Sequence, residues 1–168
     1  LYLQHGAGGD ESSWLGETHT FGSDAKRIVD HLMTDGLVRP TIVVTPSIPE
    51  GNDHWAQEFM SYIYELGRDF MPAVETHYRT FAATADDAGF AASRERRCFG
   101  GFFMGAYETW HVLIHYLPWF KYYLPLCGNT RYESTDDECI AQADSVADAA
   151  VASGMPKEDY LVFAADGT

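Results

Sequence analysis

The chain has 168 residues, of which 46% are hydrophobic and 14% aromatic, enough apolar side chain for a core and too much for intrinsic disorder. Acidic residues number 25 against 11 basic ones, a formal charge of −14 that would repel nucleic-acid phosphates rather than neutralise them. The length suits one domain, and Cys98, Cys127 and Cys139 form neither a C-x-x-C motif nor an even framework, so each reads as a small buried hydrophobe.

In chain order, Leu1-Tyr-Leu-Gln-His5 reads as a strand that stops at the glycine cluster Gly6-Ala-Gly-Gly9. Ser23 to Met33 reads as a helix with Ser23 as N-cap, Ile28, Val29 and Leu32 as its apolar stripe, and Gly36 as its stop. Thr41 to Thr45 is a buried-type strand closed by Pro46 and Pro49. A helix is expected from Trp55 to about His77, with Pro72 kinking or dividing it. Thr80 to Ser93, rich in Ala, Asp and Gly, reads as a surface loop.

Arg97-Cys-Phe-Gly-Gly-Phe102 is a strand running into a sharp turn, followed by an apolar helix from Met104 to Leu117. Tyr122 to Cys127 is a further strand, Asp136 to Ser153 an Ala-rich helix ended by Gly154 and Pro156, and Tyr160 to Ala165 the last strand. The most apolar stretch, Val112 to Cys127, is broken by His115, two prolines and Lys121, whereas a membrane span needs about 20 mainly apolar residues. Leu1 opens without a basic n-region, so no signal peptide is expected within the chain.

The alternation of strands and helices implies an α/β fold, a mostly parallel sheet with helices on both faces. In such sheets ligands bind beyond the carboxyl ends of the strands. The chain starts inside one strand and stops just past another, so residues 1–168 are expected to be a single but incomplete domain, truncated at both ends.

Three strand ends carry unusual residues: His5-Gly-Ala-Gly-Gly9, Gly101-Phe-Phe-Met-Gly105 and Asp166-Gly-Thr168. The second has the shape of a nucleophile elbow, Gly-x-Ser-x-Gly, whose small flanking residues let the backbone turn tightly and hold the central side chain in the open. Its centre here is Phe103, so no hydroxyl or thiol stands where that chemistry needs one.

The segment Leu1 to Trp14, with Pro40 to Pro46, Gly89 to Arg94, Phe99 to Gly105 and Tyr160 to Thr168 in the same order, resembles esterase-D-type carbohydrate esterases, particularly feruloyl esterases. The resemblance spans essentially the whole chain and implies an α/β-hydrolase core. The reaction it implies is hydrolysis of hydroxycinnamoyl esters of plant cell-wall polysaccharide such as xylan. A serine nucleophile, a His base and an Asp would act there without metal or cofactor, in a secreted protein.

Carried over by residue, the resemblance puts Phe103 at the nucleophilic serine and gives the oxyanion hole to the main-chain amides of Ala7 and Met104. The acid of the triad would fall just beyond Thr168 and the His further on, and Asp166 is not given that role. As written, the chain lacks the nucleophile and is expected to be inactive. A non-catalytic homologue that uses the same cleft to bind carbohydrate or a protein is the alternative reading.

Other chemistry is weaker. His111 and His115 have the i, i+4 spacing of metal ligands, but Val112 stands where a metalloprotease needs Glu, and packing is the expected role. Glu11 breaks a dinucleotide pattern at Gly6 to Gly9, and no EF-hand spacing surrounds Asp86-Asp87 or Asp136-Asp137-Glu138. His5 is expected to orient its loop rather than act as a base. Trp110 and Trp119 are expected in the core, while Trp14 and Trp55 follow strand-end loops and are candidate walls of a pocket for a phenolic acid or sugar ring.

Overall fold

The computed structural model describes residues 1–16, 24–48, 55–129 and 135–166. Its frame is a parallel sheet of four strands in the order β1 (Tyr2–Gln4), β2 (Cys98–Phe102), β3 (Tyr122–Leu126) and β4 (Leu161–Val162). Parallel neighbours need crossovers, and the intervening sequence supplies them as helices. Along β1 the side chains alternate between faces. Tyr2 meets the rings of Phe70, Phe99 and Phe120, whereas Leu3 lines a cavity with Ala25, Val29 and Met33 of α1 (Ala25–Thr34). Helices therefore cover both faces, as the alternation predicts.

The predicted strand at 41–45 is reduced to one parallel bridge between Tyr2 and Val44, held by the Leu3 amide on the Val44 carbonyl and the Val44 amide on that of Leu1. Ile42 and Val43 stand exposed beside it. In α1 the expected stripe is only half realised: Val29 and Leu32 are partly buried, but Ile28 is 56% exposed and none of the helix is fully buried. Asp24 holds its N-cap position; Ser23, Pro49, Gly167 and Thr168 lie outside the described residues.

The long helix predicted over 55–77 is divided into α2 (Trp55–Glu65), a π-helical turn (Leu66–Phe70) and α3 (Met71–His77). Pro72, in the first turn of α3, removes one amide from the ladder. The coil widens just ahead of it, where the Met71 amide reaches the Leu66 carbonyl.

The Thr80 to Ser93 segment is not simply a loop, because α4 (Asp87–Ala92) forms within it. Asp86 starts that helix by accepting from the Gly89 amide at 2.9 Å, and this bond, with one from Thr84, holds its carboxyl below the ordinary range. α5 (Met104–Tyr116) packs against β2 and β3, and α6 (Asp136–Ala152) packs against α5. The carboxylates opening α6 suit a helix N-terminus, and Glu138 forms a reciprocal capping box with Thr135.

Of the cysteines, Cys98 is largely buried and desolvation pushes its thiol up to about 11, but Cys127 is exposed, contrary to the hydrophobe reading. Its φ of 54° turns the chain off the end of β3. Trp110 and Trp119 are partly buried and pack against the core, with Trp119 stacked on Tyr116.

Two buried charges contrast sharply. Arg97, immediately before β2, donates to Glu75 Oε1 at 2.9 Å, to the carbonyls of Phe90 and Trp119, and to Ser93 Oγ, and its guanidinium lies over the rings of Phe90 and Phe120. It ties α3, α4 and the turn before β3 to the sheet. Glu108 of α5 is fully buried, and neither carboxylate oxygen has a partner among the described residues. Desolvation therefore pushes its carboxyl well above the ordinary range.

Replacing Arg97 by Met strands Glu75 and is expected to cost about 3–5 kcal/mol in urea unfolding, because one buried partner remains uncompensated. For Glu108 the folded-state value exceeds the unfolded one, so the native state holds the extra proton and its stability falls as pH rises above the ordinary carboxyl range. Glu108→Gln is expected to match the parent near pH 4 and to become the more stable of the two as pH rises above the ordinary carboxyl range. Urea midpoints from pH 4 upward check it, and a gap independent of pH would contradict it.

Candidate active site

The elbow is built from a strand, one strained residue and a helix. β2 ends at Phe102, Phe103 takes φ 56° and ψ −108°, and α5 begins at Met104. A positive φ is costly for a residue with a bulky side chain, of order 1–3 kcal/mol, and persists only where surrounding contacts impose it. Here the Phe103 amide donates to the Leu126 carbonyl at 3.0 Å, while its own carbonyl accepts from the amides of Ala106 and Tyr107.

Close backbone approach accounts for the two glycines of the motif. A methyl on Gly101 would strike the main chain of Gly105, and one on Gly105 would strike the carbonyl of Gln4 in β1. The helix start is thus pressed directly onto the end of the sheet.

The loop after β1 meets the elbow. A side chain on Gly6 would lie 3.0 Å from the Phe102 carbonyl and 3.2 Å from Phe103 Cβ, so these two strand ends lie side by side. Gly9 donates to the Gly6 carbonyl at 3.1 Å, and the following turn is closed by Ser12 and Ser13 on Asp10.

His5 is 1% exposed. Its Nδ1 is 2.7 Å from the Gly6 carbonyl, its Nε2 accepts the Ile48 amide at 3.2 Å, and its ring abuts Phe59 edge-on. The neutral Nδ1–H tautomer satisfies both bonds, so His5 pins the loop as expected.

Between loop and elbow lies a cleft of about 460 Å³ lined by Ala7, Ser13, Trp14, Phe102, Phe103 and Leu126 among others. Phe103 is 40% exposed and Phe102 44%, their rings 6.5 Å apart. Trp14 forms one wall, and its indole Nε1 has no partner among the described residues. Ala7 also lines the cleft, and Met104 opens α5, where a first-turn amide has no intrahelical acceptor.

Trp55 begins α2, but its side chain lies outside the described residues. Phe102 and Leu126, which flank the vertex, were not singled out from the sequence. Their signal is positional, since they occupy the last places of β2 and β3 in register. Among the described residues no group of three or more His, Cys, Asp or Glu could hold a metal ion, and no helix is long and apolar enough to cross a membrane.

A parallel sheet wrapped by helices, with a strained strand-to-helix vertex facing a glycine loop from the neighbouring strand, defines an α/β-hydrolase core. Within that fold the chain is similar to feruloyl esterase modules, and the likeness extends over essentially its whole length. It is 38% identical over 170 aligned residues to endo-1,4-beta-xylanase Y of Acetivibrio thermocellus, matching 100% of this chain and 15% of that protein. It is 28% identical over 137 residues to an endo-1,4-beta-xylanase/feruloyl esterase of Xylanibacter ruminicola, matching 77% of this chain and 16% of the relative.

Among solved structures, a serine-to-alanine mutant of the feruloyl esterase module from Clostridium thermocellum, complexed with sinapinate, superposes with a TM-score of 0.83 at 35% identity. That match covers 99% of this chain and 55% of the module. A ferulic acid esterase from Anaeromyces mucronatus shares the fold at a TM-score of 0.64 and 16% identity. No family model matches the chain. The chain thus spans only a small part of the two xylanase relatives and about half of the solved module.

Gly105→Ala is expected to abolish cooperative folding or lower the free energy of urea unfolding by several kcal/mol, because the collision is with main chain that cannot rotate away. An exposed control such as Gly36→Ala, where open space surrounds the new methyl but φ is +71°, is expected to cost only ~1 kcal/mol. Equal effects of the two changes would contradict the close-packing account.

Proposed function

We propose that the cleft is the acyl site of a feruloyl-esterase-type carboxylic ester hydrolase, and that the chain with Phe103 binds such esters without cleaving them. The observation that carries this reading is the strained vertex at 103, set against the Gly6 loop beside an apolar cleft. In this reading the ester carbonyl carbon sits over residue 103, with its oxygen toward the amides of Ala7 and Met104. Those donors would stabilise the negative charge of a tetrahedral intermediate, a contribution worth roughly 3–4 kcal/mol per donor in related sites.

The donors are main-chain groups, so replacing serine by phenylalanine does not remove them. What is lost is the oxygen that would form the acyl-enzyme bond. A benzyl side chain can neither attack the carbonyl nor pass a proton to a His, so the acyl-enzyme route is closed at its first step. The apolar wall of Trp14, Phe102 and Leu126 suits an aromatic acyl group such as a hydroxycinnamate. The alcohol side would be a sugar of plant cell-wall polysaccharide, reached outside the cell. No metal or cofactor enters this chemistry.

Phe103 itself favours the neighbouring reading, a binding homologue that keeps the cleft without the reaction. The two readings part on one substitution in the full-length protein. Phe103→Ser is expected to raise kcat/KM for methyl ferulate by at least ~10³-fold over the parent, measured by release of ferulate. Binding of ferulate esters without turnover by the serine form would favour the pure binding role. Robust turnover by the parent would overturn the mechanism.

A further inference from the structure

At the opposite end of the sheet from the cleft, around Tyr2, the structure has a second cavity of about 600 Å³. Four of the eight arginines of the chain line it: Arg39, Arg79, Arg96 and Arg97. Glu75 is the single carboxylate among the lining residues, and it is committed to Arg97 at 2.9 Å. No carboxylate among the described residues pairs with Arg39, Arg79 or Arg96, and all three are exposed.

Arg96 lies over the ring of Phe81, 5.0 Å from its centroid. Such stacking uses the flat face of the guanidinium and leaves its in-plane N–H donors available. In a chain of net charge −14, three arginines around one concavity, none of them in an ion pair with a described carboxylate, make a locally cationic patch.

We propose that this cavity is a non-catalytic binding site for a carboxylate-bearing sugar, the uronate branch of an acidic polysaccharide. Guanidinium groups grip a carboxylate through paired, charge-assisted hydrogen bonds. The exposed Phe81 ring, beside the apolar side chains of the cavity wall, suits the C–H face of a pyranose. The volume of about 600 Å³ is on the scale of a few sugar rings, and the aromatic face of Phe81 beside the arginines favours a sugar acid over an acidic peptide. The choice of a polysaccharide acid rests on the esterase reading above, whereas the anion preference rests on the arginines alone.

Calorimetric titration of the full-length protein tests this with four probes: xylotriose carrying a glucuronic-acid branch, the same sugar with that acid methyl-esterified, unbranched xylotriose, and a Glu-rich peptide. The acid-bearing sugar is expected to bind at least about tenfold more tightly than the other three, with an advantage that shrinks from 50 to 200 mM salt. Arg79→Gln combined with Arg96→Gln is expected to erase that advantage, and Arg39→Gln alone to reduce it, with unchanged melting temperatures.

Absence of binding, equal affinities for the sugars, or an acid preference that survives the double substitution would each overturn the proposal. Tighter binding of the peptide would also overturn it, in favour of a protein partner. The esterase reading fails independently, by absence of methyl ferulate turnover in Phe103→Ser while the sugar-acid preference stands.

Discussion

The site depends on a contact between main chains. Gly105, at the start of α5, sits against the carbonyl of Gln4 in β1, and Gly101, at the end of β2, sits against Gly105 in turn. No side chain fits at either place, so the helix must leave the sheet at one height and one angle. Residue 103 is then the vertex of a bend too sharp for ordinary φ values, and its side chain points out of the fold. The strain is borne by surrounding hydrogen bonds, from the Phe103 amide to β3 and from α5 amides back to the Phe103 carbonyl. Because every part of this device is backbone or glycine, it does not require serine. That is how the geometry of a nucleophile elbow coexists with phenylalanine at its centre.

The two ends of the sheet are chemically opposite. Beyond the carboxyl ends of the strands, His5 is fixed by main-chain partners, and the cleft wall is aromatic and aliphatic. At the amino ends, Arg97 is buried under α3 and α4 and its neighbours Arg79 and Arg96 face an open cavity. The buried Arg97 tolerates its position because Glu75, two carbonyls and a hydroxyl satisfy its donors. Glu108, without such partners, keeps its proton instead. Burial alone thus has opposite outcomes, decided by hydrogen-bond supply.

Much of this was legible from sequence because glycine spacing and strand-to-helix punctuation are local signals. The elbow, the loop after Gln4, the order of elements and the division near Pro72 all follow from residues adjacent in the chain. The α4 helix was less visible: its Asp-Ala-Gly-Phe-Ala-Ala composition reads as loop, and the informative residue was Asp86 as an N-cap for the Gly89 amide. The strand at 41–45 has strand-like residues but pairs through Val44 alone, since β-propensity does not specify a neighbour. The exposure of Ile28 and Cys127, and the burial of Gln4 and Glu108 without partners, are set by distant packing. No periodicity in the chain encodes them.

Phenylalanine at the vertex changes what the cleft can do without closing it. The Phe103 ring remains 40% exposed, beside the ring of Phe102, and about 460 Å³ of space stays open next to both. An aromatic acid entering there would exchange water for three aromatic walls, Trp14 included. Apolar burial is worth about 25 cal/mol per Å² and does not depend on a hydroxyl at position 103. Binding and bond-making therefore separate at one side chain. The first draws on surface that phenylalanine adds to, and the second on an oxygen that it lacks. In the proposed reading such a site gains contact area at the point where it lacks the attacking oxygen, so affinity for an aromatic acid is the property that the hydrolase-type reading and the binding reading share.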